Sequence, residues 1–324
     1  MNHTETLIEK IKKLKKEKDV ALLAHYYVDA EIQDLADYVG DSFYLAQIGQ
    51  KISQKNILLA GVVFMAESVK ILNPEKTVLV PDLKAGCSLV DGAPYDQYLA
   101  WRQSHPNAIC VTYINSSAEV KSISDVIITS SNAAEIISAI PHDRTILFGP
   151  DQHLGKWLSK ELNRPMIFWT GSCQVHVLFN VDRLKKIIQE NPDALVIAHP
   201  ECEDEILKYA NVIGSTSKLL NEVKTNIKFK KFIVATETGI FHEMQKQRSD
   251  AVLIQAPVID KNCKCNDCPF MKINSVEKIY TALSTFQPEI QLPESLRLKA
   301  FTSLDRMMKI TSNKSVIWPD HFQV

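Results

Sequence analysis

The 324-residue chain has no excess of either charge: 37 lysines and arginines stand against 38 aspartates and glutamates. A balanced chain has no global field to draw in nucleic acid or an anionic membrane, and no basic helix or helix-turn-helix pattern is present to do so locally. Long apolar runs are also missing. The longest, "ILLAGVVFMA" at 57–66, is about half of the roughly 20 residues a membrane span needs. The opening "MNHTETLIEKIKKLKKEKDV" reads as a charged amphipathic helix running into a strand, without the apolar core and cleavage site of a signal peptide. These absences predict a cytoplasmic protein. The seven cysteines are an odd number, and cytosolic thiols stay reduced, so a disulfide framework is not expected. The default for a scattered cysteine is a small buried hydrophobe. At 45% hydrophobic and 23% charged the composition is that of an ordinary globular protein, long enough for two or three compact domains.

What the chain does contain is an internal repeat. Three stretches align without gaps: "LLAHYYVDAEIQDLADYVGDSF" from Leu22, "CVTYINSSAEVKSISDVIITSS" from Cys110 and "VIAHPECEDEILKYANVIGSTS" from Val196. Each opens on a short apolar strand followed by a polar ring, His25, Tyr113 or His199. A glutamate stands six residues later in all three (Glu31, Glu119, Glu205), then apolar residues at helical spacing. A hydroxyl follows 17 positions after the ring: Ser42, Ser130 and Thr216. The copies are offset by 88 positions from His25 to Tyr113 and by 86 from Tyr113 to His199. Each unit continues with a second strand ("NILLAG", "TILFGP", "FIVATE"), a helix and a third strand ("TVLVPD", "PMIFWT", "AVLIQA"), and just beyond stands a cysteine: Cys87, Cys173, or the cluster Cys263, Cys265 and Cys268. Strands separated by helices imply parallel sheets with right-handed crossovers. The pattern predicts an α/β protein of three tandem three-layer α/β/α domains, related by a pseudo-threefold axis around a central site. The expected units are 1–86, 87–172 and 173–274, with a helical tail, 275–324, packing on the first.

Ligands of open parallel sheets bind beyond the carboxyl ends of the strands, where all these residues fall. The three hydroxyls are expected at helix N-caps, and helix N-termini facing one cavity suit a substrate with several negative groups. Three thiolates cannot complete a closed four-ligand zinc site. They can hold a four-iron cluster with one iron left open, and an open iron acts as a Lewis acid. Spacing does not decide the third ligand: Cys173 lies 86 after Cys87, while Cys263, Cys265 and Cys268 lie 90, 92 and 95 after Cys173. Spacing alone slightly favours Cys263.

Across essentially its whole length the chain resembles the quinolinate synthase family. The resemblance rests on "AHYY", "GDS", "AGCSL", "TYINSSAEVK", "TSSNA", "GPDQHLG", "WTGSCQVH", "HPEC", "GST", "ATETG" and "CPFMKIN", in that order. It implies condensation of iminosuccinate (iminoaspartate) with dihydroxyacetone phosphate to quinolinate in de novo NAD biosynthesis, with functional coupling to L-aspartate oxidase. The implied cofactor is a [4Fe–4S] cluster on one cysteine per domain, here Cys87, Cys173 and Cys268. Cys263 and Cys265 are then spare, although "CNDC" (265–268) could pair in a redox switch. The implied substrate contacts are His25, Ser42, Tyr113, Asn115, Ser130, His199, Glu201 and, in "GST", Ser215 and Thr216. Tyr27, near the open iron, and His199 with Glu201 are the expected catalytic groups. His176 is left between a place beside the cluster and one facing substrate, and Cys110 and Cys202 are expected to be packing residues.

Other three-cysteine cluster enzymes of this layout, a diphthamide-type radical enzyme or the reductive dehydroxylase of isoprenoid synthesis, would need different polar residues around the open iron. A non-enzymatic iron–sulfur redox sensor would need a partner-binding element, and a zinc module a fourth nearby ligand; neither is evident.

Overall fold

The structure, a computed structural model, describes residues 3–259 and 266–322. The expected spare thiols Cys263 and Cys265, and the pairing of Cys265 with Cys268, lie outside the described residues. Three four-stranded sheets, each parallel throughout, repeat one strand order. The first has β1 (Val20–His25), β2 (Tyr38–Gly40), β3 (Asn56–Ala60) and β4 (Thr77–Leu79) in the order β2-β1-β3-β4. The second is β6-β5-β7-β8, from β5 (Ile109–Tyr113), β6 (Val126–Ile128), β7 (Ile146–Gly149) and β8 (Ile167–Phe168). The third is β10-β9-β11-β12, from β9 (Ala194–Ala198), β10 (Val212–Ile213), β11 (Lys231–Ala235) and β12 (Val252–Gln255). With helices on the faces, these are three tandem three-layer α/β/α domains. All residues of β1 and of β5 are buried, so both strands read as continuous apolar runs. That is the pattern of a parallel sheet covered on both faces.

Each sheet has one strand more than the sequence pattern indicates. The additional strands β2, β6 and β10 are only two or three residues long, too short to show a period of two. A repeated side-chain lock places them. Asp37 Oδ2 accepts the Leu22 N–H at 2.7 Å, Asp125 Oδ2 the Cys110 N–H at 2.7 Å, and Asn211 Oδ1 the Val196 N–H at 2.8 Å. The backbone N–H of each of these three residues returns a bond to the carbonyl of the same partner. Each lock stands 12 residues after its polar ring, so the short strand begins in register beside the first.

The helix starts differ from expectation by one residue in two units and by two in the other. Ser42 and Thr216 are the first helical residues of Ser42–Lys51 and Thr216–Thr225, and the N-caps are Asp41 and Ser215. In the second unit the cap is Asn132, two residues beyond Ser130. Asp and Ser one position earlier are equally good caps, so a hydroxyl at a fixed spacing does not by itself locate one.

One hydrophobic core runs through the first two units, joining Leu23 and Leu58 to Val111 and Ile127. The tail helices complete it. Val276–Thr285 packs on His3–Glu17 and β3, whereas Glu294–Ile310 packs on Val63–Leu72 of the first unit and on Ala118–Ser122 and β6 of the second. The third sheet has a separate core on each face, one of which includes Tyr26 of the first unit. No helix among the described residues is long and apolar enough to cross a membrane.

Candidate active site

β1 and β5 end on His25 and Tyr113, and His199 directly follows β9. The three rings meet in a recess with ≈ 740 Å³ of space free of protein atoms, part of it continuous with solvent. Cys87, Cys173 and Cys268 line the same recess, as do Ser42, Ser130 and Thr216 and also Tyr27, Asn115 and Glu201. Of the residues expected at the site, Ser215 is not brought in: its buried hydroxyl accepts the Lys218 N–H at 3.2 Å, as the cap of its helix. None of the described lining residues is lysine or arginine.

Asp41 pins the three units together beside the recess. Its Oδ1 accepts the Tyr44 N–H at 2.9 Å, and its Oδ2 accepts the hydroxyls of Ser131 at 2.8 Å and Ser217 at 2.5 Å. Ser131 and Ser217 directly follow Ser130 and Thr216, so one carboxylate of the first unit holds the corresponding segments of the other two.

Glu201, buried, is the hub of the polar lining. Its Oε2 lies 2.8 Å from His176 Nδ1, and the Tyr113 hydroxyl also bonds to it. Burial pushes the Glu201 carboxyl up, but His199, His176 and the Tyr113 hydroxyl together hold it below the usual range. A carboxylate only accepts, so His176 donates from Nδ1, and its Nε2 lies 3.0 Å from Thr236 Oγ1. Thr236 Oγ1 is in turn 2.9 Å from the Tyr27 hydroxyl, which is 2.8 Å from Thr216 Oγ1. A continuous chain thus runs Tyr27–Thr236–His176–Glu201–Tyr113. Burial raises both tyrosines well above the ordinary phenol range, so they stay protonated.

His25 and His199 share one arrangement. Nδ1 of each faces a backbone N–H two residues ahead, from Tyr27 at 3.2 Å and from Glu201 at 3.4 Å, which leaves the proton on Nε2. Burial lowers His25 to about 4 against the opposing charges of Asp41 and Glu201. It lowers His199 to about 3, opposed by Glu201. Both rings are neutral donors at neutral pH. His199 also stacks on His176, with centroids 4.7 Å apart.

The five described cysteines carry free thiols, Cys110 and Cys202 fully buried and the cavity three partly exposed. Each cavity cysteine precedes a helical turn whose backbone N–H groups reach its sulfur: Leu89 and Val90 for Cys87, His176 for Cys173, Phe270 and Met271 for Cys268. Burial nevertheless pushes Cys87 up to about 12, and raises Cys173 and Cys268 too. Such thiols become thiolates when a metal supplies the compensating charge. Three soft donors with N–H groups aimed at their sulfurs fit an iron–sulfur group. Cys173, His176 and Glu201 also place one donor atom each within 4.8 Å of one another. Asp41, Thr236 and Glu237 have no assigned role in the sequence, although "GDS" and "ATETG" contain them; the partners that tie them to the other units or to the cysteine loop are far away in the chain.

Residues 9–309 match the family model described as "Quinolinate synthetase A protein" (NadA). The chain is 47% identical over 305 residues to a quinolinate synthase of Chloroherpeton thalassium, covering 94% of each chain. It is 46% identical over 305 residues to that of Thermosynechococcus vestitus, covering 94% of this chain and 95% of the relative. It is likewise 46% identical to that of Nostoc punctiforme, covering 94% of each. With such identity and coverage, the chain belongs to the quinolinate synthase (NadA) family of enzymes.

Proposed function

We propose that this enzyme condenses iminosuccinate with dihydroxyacetone phosphate, giving quinolinate, one phosphate and two waters. The observation that carries the reading is the convergence of one ring and one cysteine from each of three repeated units on a single recess. Three separate strand ends would not meet there for packing alone. The units are taken as 1–86, 87–172 and 173–274, supported by one four-stranded sheet in each. A cytoplasmic setting fits reduced thiols and a short-lived imine supplied by an L-aspartate oxidase.

Cys87, Cys173 and Cys268 would hold a [4Fe–4S] cluster, which supplies a Lewis-acidic iron for a substrate oxygen. The protein's own groups do the rest. His25 and His199, neutral with the proton on Nε2, donate hydrogen bonds to carboxylate and carbonyl oxygens without adding charge, while Tyr113, whose proton is given to Glu201, meets substrate through its oxygen as an acceptor. Ser42, Ser130, Asn115 and Thr216 take the remaining oxygens, the phosphate among them. Ser42 and Thr216 do so at the starts of ten-residue helices, where free N–H groups favour anions; no lysine or arginine is among the described lining residues. Glu201, ionised and flanked by His176 and Tyr113, takes and returns protons in the isomerisation, dehydrations and ring closure. Tyr27, joined to Glu201 through Thr236 and His176, is placed to exchange a proton at the far side of the recess. Ser215 is proposed to act through the helix start it caps.

The test is direct. Anaerobically purified, iron-loaded protein is mixed with freshly generated iminosuccinate and dihydroxyacetone phosphate, and quinolinate is followed by ultraviolet absorbance and mass. Quinolinate and phosphate formed one to one support the reading. Iron-loaded protein that consumes neither substrate, or that cleaves S-adenosylmethionine instead, refutes it.

A further inference from the structure

We infer that Asp151 and Glu237 are positioning residues, each fixing the loop that carries one cavity cysteine. The inference rests on the reading of those cysteines as cluster ligands. Asp151 Oδ2 accepts the Cys173 N–H at 3.2 Å, and Glu237 Oε1 accepts the Cys268 N–H at 3.1 Å. Both acids are fully buried. Each is the second residue past the end of the strand next to the central one, after Gly149 of β7 and after Ala235 of β11. They stand 86 positions apart, the offset that relates Tyr113 to His199. They lie in "GPDQHLG" and "ATETG", of which the proposed chemistry otherwise employs only Thr236.

The second oxygen of each acid is tied to something rigid. Asp151 Oδ1 accepts the Leu154 N–H at 2.8 Å and caps the helix Gln152–Glu161. Glu237 Oε2 accepts the Gly239 N–H at 2.7 Å. Gly239 is wedged against the first unit: a Cβ there would lie 2.7 Å from Tyr27 Cα and 2.8 Å from the Tyr26 carbonyl oxygen. Each carboxyl group therefore measures its cysteine's backbone against a fixed element. With the cysteine N–H held in this way, the sulfur faces N–H groups of the turn ahead, from His176 for Cys173 and from Phe270 and Met271 for Cys268. The first unit has Val62 at the corresponding place, two residues past β3. There the tie is backbone only: the Val63 N–H bonds to the Ala85 carbonyl at 2.8 Å, two residues before Cys87. Two of the three cysteines thus have their backbone N–H held by an acid and one does not.

Asp151→Asn and Glu237→Gln keep size and shape but turn an NH2 group toward one of the two N–H donors. The experiment uses the full chain, both free of iron and loaded with iron and sulfide under argon. In the iron-free protein, alkylation by iodoacetamide is followed at each cysteine by mass spectrometry. Glu237→Gln should speed labelling of Cys268 and leave Cys87 and Cys173 unchanged, while Asp151→Asn should do so for Cys173 alone. In the loaded protein each variant should release iron to a ferrous chelator about tenfold faster, the scale expected when a ligand's supporting partner is removed. If the amide variants do not fold, Glu237→Asp and Asp151→Glu, which keep both acceptors but shift them, are read by the same labelling. Labelling that does not change, or that rises equally at all three thiols, overturns the inference. A wild-type chain that takes up no iron refutes the proposed function instead, and the labelling still decides this point.

Discussion

Nδ1 of His176 and Oε2 of Glu201 lie 2.8 Å apart, both side chains buried at the end of a chain of hydrogen bonds that begins on Tyr27. If Glu201 moves protons, Glu201→Gln removes that capacity but still fills the space. Quinolinate formation should then fall by roughly 10²–10⁴-fold through kcat, with iron content and circular dichroism unchanged. Loss of iron in the same variant would instead assign Glu201 to the metal site.

The neutral histidines make folding stability depend on pH. His25 and His199 are held at about 4 and about 3, below the ordinary value of 6.5. Between those values the unfolded chain binds protons that the folded one refuses, so stability is full above about 6.5 and declines as pH falls toward 4. For His25 the loss by pH 4 is on the order of 3 kcal/mol. Urea unfolding from pH 7 to 4.5 should show the decline, and His25→Asn should reduce it to the share that His199 contributes.

Asp41→Ala should loosen the seam among the three units. It strands two hydroxyls and a helix N–H, which is expected to cost about 3 kcal/mol. Ser217→Ala removes one neutral partner and should cost about 1 kcal/mol. Chemical denaturation checks both; equal losses would mean that Asp41 does not bear the shared load.

The cysteines should divide cleanly. Cys87→Ala, Cys173→Ala and Cys268→Ala should each abolish retention of iron after anaerobic reconstitution, measured as iron per chain. Cys110→Ala and Cys202→Ala, which empty only packed positions, should retain it.

Gly239→Ala places a methyl group against the Tyr26–Tyr27 backbone. Overpacking of this kind costs about 1–3 kcal/mol, and here the strain falls on Tyr27. Activity should drop more than the melting temperature does.

Much of this was legible in the chain. The strand ends, the ring-to-hydroxyl spacing and the parallel sheets follow from a repeat visible in three aligned stretches, because apolar runs of five or six residues bounded by polar groups admit few other folds. The short strands β2, β6 and β10 were not legible as strands. Two or three residues have no periodicity, and they pair only because Asp37, Asp125 and Asn211 lock onto a strand that is already there. The hydroxyl-bearing residues were found, yet the caps lie elsewhere, since a cap is defined by where the backbone turns helical.

The site divides the same way. Which residues reach the carboxyl edges of the sheets was set by local pattern, so His25, Tyr113, His199 and the first two cysteines could be named from the chain. Which groups touch was decided only by folding. Asp41 meets Ser217 across 176 positions, and Thr236 meets Tyr27 across 209. Such contacts leave no trace in a local pattern: a buried carboxylate or hydroxyl takes whatever partner the packed core brings within 3 Å, and that is settled when three domains close on one another.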